Sequence, residues 1–355
     1  MLTNNRNIKV AVAMSGGVDS SVAAVLLVKK GFRVIGLTMK LFPASQAHSS
    51  TDCCANEAME SAERAASKLG IEHRTIDCRK EFNEIVIGNF LSEYAKARTP
   101  NPCVVCNKSI KFGLLMETAR AMGCTHLATG HYARVCKRRG RHLLAKAKDK
   151  QKDQSYFLWM LSQRQLQSTI FPLGNYEKQQ IRGMAAALGL DAADKPESQE
   201  ICFIPQGHYS QYLKSKMDVP AGDIADSSGK IIGRHRGIAN YTIGQREGLG
   251  IALGKPQYVI GLDPLKNRVI IGDDQSLYKD VMDVEAVNWF IKIPNRQIKV
   301  EVKIRNQHKG SAAFIKPAGG RTVQIRFLKS QRAISPGQSA VFYRGDLLLG
   351  GGLIK

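Results

Sequence analysis

The amino-acid sequence predicts an α/β protein, in which a doubly wound parallel sheet is followed by two smaller modules rich in β-strand. Across the first two hundred residues, apolar β-branched runs alternate with segments of helical periodicity. From about residue 207, turn signals such as ADSSGK and DPLKN separate short β-branched runs. Near residue 275 the runs MDVEAVNWF, IKVEVKIR and TVQIRFL begin, and they predict a small antiparallel barrel. The predicted domains therefore cover residues 1–206, 207–275 and 276–355.

Strands and helices alternate in the N-terminal region. Strands are expected at residues 8–14, 33–42, 73–78 and 126–129, and helices at about 19–30, 55–69, 80–97 and 107–122. Consecutive β-α-β units make the strands parallel and place helices on both faces of the sheet. Ligands of such sheets bind beyond the carboxyl ends of the strands, so we expect a binding site there.

The chain is strongly basic. It has 52 Lys or Arg and 30 Asp or Glu, which gives a formal net charge of +22. Residues 134–153 include 9 basic and 2 acidic residues, and residues 276–355 include 14 basic and 5 acidic ones. Two separated basic regions favour a long polyanionic partner over a small metabolite. Neither region has the large apolar anchors of a membrane-surface helix, so no membrane partner is expected.

The cysteines and the apolar runs bear on the cellular compartment. No apolar signal region opens the sequence, and its longest aliphatic run, VAAVLLV, is far shorter than a membrane span. We therefore expect a cytoplasmic protein. In the cytoplasm, the eight cysteines are expected to be thiols, metal ligands or catalysts rather than a disulfide framework.

The stretch AMSGGVDSS follows the first predicted strand directly and opens the first helix. A catalytic serine elbow is one interpretation of Ser15, but such an elbow normally follows several strands. A Walker loop is excluded because no Lys-Ser/Thr follows the glycines. The small residues instead favour a phosphate site, where backbone N–H groups at a helix N-terminus bind the anion. Asp19 could then hold Mg²⁺ near the phosphates.

The segment ARTPNPCVVCNKSIKFG, residues 97–113, has a candidate nucleophile. Asn107 is predicted to be the N-cap of a helix, with Cys106 just before it. The positive helix end, Lys108 and Lys111 should all lower the pKa of the Cys106 thiol. The C-x-x-C spacing of Cys103 and Cys106 also suits a redox pair, part of a metal site, or two incidental loop cysteines.

A further cysteine, Cys202, lies in ESQEICFIP, residues 197–205, at the end of the α/β region. An apolar-flanked cysteine is by itself more often a small core residue than a catalyst.

Several motifs together resemble one enzyme family. SGGVDS after the first strand is similar to the loop of the pyrophosphate-loop (PP-loop) ATPases, which have an adenine nucleotide α-hydrolase-like fold and adenylate their substrates. NPCVVCNKSIKFG, ATGHYAR, KDQSYFLWML, SQEICFIP and YTIGQREGLG follow in the order typical of the tRNA-specific 2-thiouridylases (the MnmA/TrmU family). The similarity extends from Val10 to the C-terminal SPGQSAVFY and LGGGLI, nearly the whole chain.

This resemblance implies ATP-dependent 2-thiolation of the wobble uridine in the tRNAs for lysine, glutamate and glutamine. The uridine 2-carbonyl is adenylated with release of pyrophosphate, and persulfide sulfur then replaces its oxygen, which leaves with AMP. Cys202 matches the cysteine that carries the persulfide, and Cys106 the nucleophile that resolves it. The implied partners are the tRNA anticodon loop and a persulfide donor, either a cysteine desulfurase or a sulfur relay carrier. The implied cofactors are ATP and Mg²⁺.

The resemblance also implies two sets of binding residues. The ATP site would comprise Ala13, Met14, Ser15, Gly16, Gly17, Val18, Asp19 and Ser20 in the loop, Met39 against the adenine, and Gly130. The tRNA site would comprise Asn101, Pro102 and Cys103 facing the target base, with His131, Lys152, Asp153, Gln154, Arg305, Asn306 and Gln338 as further contacts.

The chain departs from the family pattern at two of these positions. Many members have an aspartate, proposed to transfer protons, at the position of Cys103, and often a tyrosine at that of Asn306. A thiol cannot supply the charge of a carboxylate, which puts the acid–base role at Cys103 in doubt. With Cys106 and Cys202, however, Cys103 makes a set of three thiols that could bind an iron–sulfur cluster. Cluster-dependent thiolation is therefore the mechanistic alternative.

Two other classes of function also fit parts of the sequence. A PP-loop ligase acting on a small metabolite would use the same phosphate loop, with the basic charge incidental. A non-catalytic RNA-binding protein would bind tRNA in a salt-sensitive manner without forming AMP.

Overall fold

The computed structural model describes residues 5–42, 50–190, 201–204, 208–251 and 254–355, with the backbone alone for residues 50–55. Three features of the sequence lie outside this description. They are the predicted domain boundary between residues 206 and 207, residues 197–200 and 205 of the ESQEICFIP motif, and the side chains of Cys53 and Cys54. The chain divides into two compact units. The first consists of Met1–Val86, Cys103–Pro205 and Asp346–Leu349, and the second of Ile87–Pro102, Gln206–Gly345 and Gly350–Lys355.

The first unit is built on a parallel sheet. The strands in this part of the chain are β1 (Lys9–Ala13), β2 (Arg33–Lys40), β3 (Glu72–Asp77), β4 (His126–Thr129), β5 (Ala133–Arg138), β6 (Arg141–Lys146) and β7 (Thr169–Ile170). Five of them form the sheet in the order β3-β2-β1-β4-β7, and all of its pairings are parallel. The central strand β1 is the apolar run KVAVA, whose three middle residues are buried. A central position in the sheet explains why this run does not alternate with polar residues.

The helices of the chain are α1 (Val18–Lys29), α2 (Ser50–Lys68), α3 (Arg79–Glu81), α4 (Gly88–Ala95), α5 (Pro102–Cys106), α6 (Met116–Ala121), α7 (Gln163–Gln167), α8 (Lys178–Ala187) and α9 (Tyr209–Lys216). Two π-helical segments, Phe82–Ile87 and Asn107–Leu115, join α3 to α4 and α5 to α6. Helices α1, α2 and α8 contribute buried residues to one core that they share with β1 and β4.

The second unit contains a small sheet and a barrel. Strands β8 (Gly222–Ala225), β9 (Ile231–His235), β10 (Tyr258–Asp263) and β11 (Arg268–Gly272) form the sheet in the order β10-β11-β8-β9. The barrel strands are β12 (Tyr278–Trp289), β13 (Ile298–Lys303), β14 (Ser311–Pro317), β15 (Val323–Arg332), β16 (Ser339–Arg344) and β17 (Leu347–Ile354). They follow one another in the order β12-β15-β14-β13-β16-β17, and pairing of β12 with β17 closes the barrel.

A hairpin in the first unit was not expected. Strands β5 and β6 pair in antiparallel register, and Leu347 and Leu348 at the start of β17 pair with β6. Most of the basic window at residues 134–153 is therefore a β-hairpin. The same window explains why the hairpin was missed, since its run of charged residues obscures the alternation of a strand.

The predicted fold class is confirmed by the parallel sheet, the β-rich middle segment and the closed barrel. Most predicted elements of the N-terminal region are found within a few residues of their expected bounds. The helix expected to begin at residue 107 instead begins at Pro102. Within the described residues, no helix is both long and apolar enough to span a membrane.

Candidate functional site

The glycine loop lies at the carboxyl edge of the central strand, between the end of β1 and the start of α1. Its entry is fixed to the neighbouring strand, because Met14 N–H donates to the Leu37 carbonyl at 2.8 Å and the Thr38 hydroxyl donates to the Met14 carbonyl at 2.9 Å. Met39, predicted to contact adenine, is half-buried near the same edge, at the end of β2. The topology thus brings the predicted nucleotide residues of β1, β2 and α1 to one edge of the sheet.

Gly16 allows the loop to approach helix α2 closely. Its φ is +71°, and a Cβ at this position would lie 2.0 Å from the carbonyl oxygen of Ala58. The Ser61 hydroxyl donates to the Gly16 carbonyl at 3.0 Å and holds the loop against the same helix. Only glycine satisfies both the backbone conformation and the contact.

Hydroxyl groups within the loop order its backbone. Ser20 and Ser21 both donate to the Gly17 carbonyl, at 3.0 and 3.1 Å. Ser15 N–H donates to the Ser20 hydroxyl at 3.1 Å, while Ser15 itself is exposed. The hydroxyl of Ser15 lies 3.4 Å from that of Ser20, an arrangement that suits an anion-binding loop rather than a serine activated by a histidine.

Asp19, in the first turn of α1, has partners on both carboxylate oxygens. Lys178 Nζ lies 2.8 Å from each oxygen, and the Tyr132 hydroxyl donates to one of them at 2.9 Å. Gly130 packs against this turn, since a Cβ there would lie 2.9 Å from Ser20 N. The structure therefore gives Gly130 a packing role beside the loop, in addition to the nucleotide contact predicted for it.

The predicted nucleophile Cys106 lies inside a helix. Helix α5 continues without a break into the π-helical segment Asn107–Leu115, and Cys106 has helical φ and ψ angles of −58° and −47°. Asn107 is not an N-cap: it is buried, and its side-chain amide donates to the Phe157 carbonyl at 3.1 Å. The prediction of a helix start at Asn107 was wrong because the rigid Asn-Pro-Cys segment itself opens the helix, with Pro102 as the first helical residue.

The π-helical geometry has a visible cause. The side-chain amide of Gln165 donates to the carbonyls of Lys108 and Phe112, at 3.0 and 2.7 Å. These external bonds satisfy backbone acceptors of the widened turn, and π-helical turns occur frequently at functional sites.

The structure brings the three predicted thiols into electrostatic contact. Burial, followed by the neighbouring Cys106 and Cys103 thiols, raises the pKa of Cys202 to about 12. Burial likewise raises the pKa of Cys106 and of Cys103. Cys103 and Cys202 are exposed as whole residues, yet desolvation is the largest cause of the raised pKa at both thiols.

The expected lowering of the Cys106 pKa is therefore contradicted. Cys106 is 8% exposed, and desolvation of its thiolate outweighs the positive charge of Lys111. The prediction placed Cys106 just before a helix N-terminus, whereas the helix begins about one turn earlier, at Pro102.

Two further residues affect the electrostatics of the thiol region. Lys111, which was predicted to act on Cys106, opposes the rise in pKa of Cys103, Cys106 and Cys202. Cys78 lies directly after β3, and burial, followed by the carboxylates of Glu81 and Asp77 and by the Cys106 thiol, raises its pKa to about 11. Across the described part of the chain, no group of three or more His, Cys, Asp or Glu side chains has an arrangement suited to a metal ion.

His131 is neutral in this environment. Burial, followed by the charge of Lys111, holds its pKa well below the usual value. Its ring packs beside Phe112 and Phe171, with centroid distances of 6.0 Å, and Nδ1 lies 2.7 Å from the Thr129 hydroxyl. A neutral imidazole in an aromatic setting suits stacking or hydrogen bonding to a base.

The predicted tRNA residues Lys152, Asp153 and Gln154 form an internally bonded turn. Asp153 accepts from Ala147 N–H at 3.0 Å and from the Ser155 hydroxyl at 2.9 Å. Gln154 accepts from Tyr132 N–H at 2.9 Å. The turn therefore positions Tyr132, next to His131, and any tRNA contact by these residues stays a prediction.

The remaining predicted tRNA residues belong mainly to the second unit. Arg305 and Asn306 are exposed in the turn between β13 and β14. The Gln338 side chain donates to the Thr99 carbonyl at 3.0 Å, and Thr99 N–H donates to the Pro336 carbonyl at 2.8 Å. Gln338 thus holds the segment that leads to Asn101 and Pro102, and the tRNA contacts of these three residues stay predictions.

Lys178 and Tyr132, which contact Asp19, were not predicted, and Lys111 was predicted to act on Cys106 alone rather than on all three thiols. A weak signal existed for Lys178, because a lysine in the first turn of a helix lies at the unfavourable end of the helix dipole.

Two features define the class of this protein. The parallel sheet with a Ser-Gly-Gly loop at its carboxyl edge is that of a nucleotide-binding α/β protein of the PP-loop class, and three electrostatically interacting thiols lie in the same unit. The chain matches three family models, described as the tRNA methyl transferase HUP domain at residues 8–206, the tRNA methyl transferase PRC-barrel domain at 210–273 and the aminomethyltransferase beta-barrel domain at 279–354. It is 47% identical to "tRNA-specific 2-thiouridylase MnmA 1" of Caldanaerobacter subterraneus subsp. tengcongensis, over 100% of this chain and 99% of the relative. It is 48% identical to "tRNA-specific 2-thiouridylase MnmA" of Halothermothrix orenii, over 98% and 99%. The chain belongs to the tRNA-specific 2-thiouridylase family.

Proposed function

We propose that the protein is an ATP-dependent tRNA-uridine 2-sulfurtransferase that acts on the wobble uridine of the tRNAs for lysine, glutamate and glutamine. The observation that carries this proposal is the electrostatic coupling of Cys106 and Cys202, which are distant in sequence, in the unit that also holds the glycine loop. The family models are described by methyl transfer, whereas the relatives are named for thiolation. Paired thiols support sulfur transfer.

The first step would activate the base. The uridine O2 attacks the α-phosphorus of ATP, so that an O–P bond forms and pyrophosphate leaves. The loop N–H groups and the hydroxyls of Ser15 and Ser20 would bind the phosphates and stabilise the charge that develops on them. Mg²⁺, when bound with ATP, would supply further charge neutralisation, and the carboxylate of Asp19 is the kind of oxygen ligand that it uses.

The second step would deliver sulfur. The terminal sulfur of a persulfide on Cys202 attacks C2 of the adenylated uridine, and the C2–O bond breaks as AMP leaves. Cys106 then attacks the Cys202 sulfur, which releases 2-thiouridine, forms a Cys106–Cys202 disulfide and gives up the Cys106 proton to solvent. Alternatively, Cys106 attacks first and the released sulfide reacts with C2. An external thiol reduces the disulfide in either order.

The partners follow from this chemistry. The positive charge of residues 134–153 and 276–355 supports binding of the tRNA backbone. The target base must leave the anticodon stack, for which the neutral His131 and its aromatic neighbours provide a stacking surface. A persulfide-carrying protein, either a cysteine desulfurase or a sulfur relay carrier, would load Cys202. We expect the reaction in the cytoplasm, where tRNA and reducing thiols are present.

Reconstitution tests the proposal. Purified protein, ATP, Mg²⁺, tRNA and a persulfide donor should yield 2-thiouridine, measured by mass spectrometry of digested nucleosides. Cys106→Ala and Cys202→Ala should each reduce the yield at least about 10³-fold. Cys136→Ala, which removes a half-buried thiol from β5, is the matched control and should keep the wild-type yield. Full activity of both active-site variants would refute the two-cysteine mechanism.

The same preparation separates the other candidates. A ligase for a small metabolite would exchange ATP and pyrophosphate without tRNA, and a non-catalytic RNA-binding protein would form no AMP. Cluster-dependent thiolation would require iron and acid-labile sulfide in anaerobically purified protein. Since the described side chains offer no grouped metal ligands, we route no step through a cluster.

A further inference from the structure

Lys178 is a buried lysine in a position that stability does not explain. It is the first residue of α8, and its side chain is only 10% exposed. A positive charge in the first turn of a helix opposes the helix dipole, and a buried ion pair adds little net stability compared with an apolar pair. A lysine that is placed at this cost suggests a role in binding an anion.

The partner of Lys178 belongs to the nucleotide loop. Its ammonium group lies 2.8 Å from both carboxylate oxygens of Asp19, in the first turn of α1 and directly after the two loop glycines. Tyr132 contributes a hydroxyl bond to Asp19 at 2.9 Å, and its ring centroid lies 5.8 Å from Lys178 Nζ. These contacts place the ammonium group at the helix end where the loop amides favour phosphate.

The backbone of Lys178 is also fixed. Its N–H donates to Asp149 at 3.0 Å, and a capping box between Glu177 and Gln180 closes the start of α8. The backbone N–H of Lys178 is bonded to Asp149 and its ammonium group to Asp19, so the side chain is fixed at both ends. Such preorganisation suits a group that receives a charged ligand.

The charges of the loop make a cation necessary. Asp19 is the acidic residue of the loop's helical turn, and alone it would repel the phosphates of ATP. Lys178 neutralises that carboxylate. Asp19 would be a ligand of Mg²⁺ in the ATP complex, and the ammonium group of Lys178 would then be available to a phosphate oxygen at the same helix end.

We propose that Lys178 is a phosphate-binding residue of the ATP site, which is paired with Asp19 in the nucleotide-free protein. The inference rests on the proposed use of ATP. The assignment predicts that Lys178 contributes to the binding of ATP but not of adenosine, because adenosine has no phosphate for the ammonium group to bind.

Equilibrium binding of nucleotides to the full-length protein tests this assignment without an activity assay. In isothermal titration calorimetry with Mg²⁺, Lys178→Met should weaken ATP binding by about 10- to 100-fold, as expected for loss of a charge-assisted hydrogen bond. The affinity of Lys178→Met for adenosine should differ from that of the wild type by less than about 3-fold. Lys178→Arg should recover part of the ATP affinity. Lys148→Met is the matched control, because it removes an exposed neighbouring cation that pairs with Glu177, and it should bind ATP as wild type does.

The outcomes separate this inference from the proposed function. If the wild-type chain binds no ATP, the proposed function fails. If the wild type binds ATP and Lys178→Met binds it equally well, or loses ATP and adenosine in parallel, the role of Lys178 is refuted. Should Lys178→Met not fold, the double variant Asp19→Asn/Lys178→Met leaves no carboxylate without its cation. This double variant should bind ATP at least about 10-fold more weakly than Asp19→Asn, and equal affinities would overturn the assignment.

Discussion

The glycine loop and the thiol cluster lie in the same unit but are prepared for chemistry in opposite ways. In the loop, Ser20, Ser21 and Ser61 hydroxyls hold the backbone carbonyls, and Asp19 has partners on both oxygens. In the cluster, burial raises the pKa of Cys103, Cys106 and Cys202, so that the thiols are protonated at neutral pH. The loop is ready for its ligand, and the thiols are held in an unreactive state.

This difference has a chemical reason. Phosphate binding requires donors that do not reorganise when the charge develops, so an ordered loop accelerates the reaction. A thiolate exposed at rest would react with any oxidant or electrophile. In the proposed mechanism, the protonated thiols beside Lys111 would become nucleophilic only when the persulfide and the adenylated base are in place.

The order of the loop is expected to depend most strongly on Gly16. Gly16→Ala combines a left-handed backbone with a Cβ 2.0 Å from the Ala58 carbonyl oxygen, so it should lower Tm by about 5–10 °C and weaken ATP binding. Gly17→Ala is the matched control. Its φ is −90°, and the added Cβ would touch only the Ser15 hydroxyl at 3.7 Å. Differential scanning calorimetry should find a loss of about 3 °C or less for this variant. Equal losses in the two variants would show that the approach to α2 does not order the loop.

The protonated state of the thiols predicts a steep pH dependence. Because the pKa of Cys202 is raised to about 12, the thiolate fraction increases with pH throughout the range from 7 to 9. The rate of alkylation of Cys202 by iodoacetamide should therefore rise about tenfold per pH unit, or about 100-fold in total. Residue-resolved mass spectrometry measures this rate. In the urea-unfolded chain, the same cysteine should level off near the ordinary thiol pKa of about 8.5. A plateau below pH 9 in the folded protein would contradict a protonated reserve.

Lys111 should have the smallest of these effects. Removing its charge raises the pKa of the three thiols further, so Lys111→Met should slow alkylation of Cys103 and Cys202 by about 3- to 10-fold at pH 8. Lys108→Met, which removes an exposed charge from the same π-helical segment, should change these rates less than about 2-fold. Similar slowing in both variants would mean that general surface charge, and not Lys111, acts on the thiols.

Local sequence signals predicted the fold well. The apolar run of β1, the glycine pair after it and the exact bounds of the strand at His126–Thr129 follow from periodicity and turn residues. The closed barrel likewise follows from alternation, as in β15, where Val323, Ile325 and Phe327 are buried and the residues between them are exposed. The resemblance to a known family added the predicted roles of Cys106 and Cys202, which periodicity alone does not indicate.

Contacts between distant segments could not be predicted in this way. The desolvation that reverses the expected pKa shift of Cys106 comes from its burial, which the local sequence does not reveal. The π-helical turn depends on Gln165, and the partners of Asp19 come from residues 132 and 178. These features arise from tertiary packing, which overrides the local preferences that a sequence expresses.

The source of one oxygen atom in AMP shows whether ATP activates the RNA. If the uridine 2-carbonyl is adenylated before sulfur attacks it, its oxygen leaves with AMP. A tRNA that carries ¹⁸O at the 2-carbonyl of the target uridine is incubated with the enzyme, ATP, Mg²⁺ and a persulfide donor. Mass spectrometry should then find one ¹⁸O-labelled AMP for each 2-thiouridine formed. Formation of 2-thiouridine with ¹⁸O-free AMP would contradict adenylation of the base.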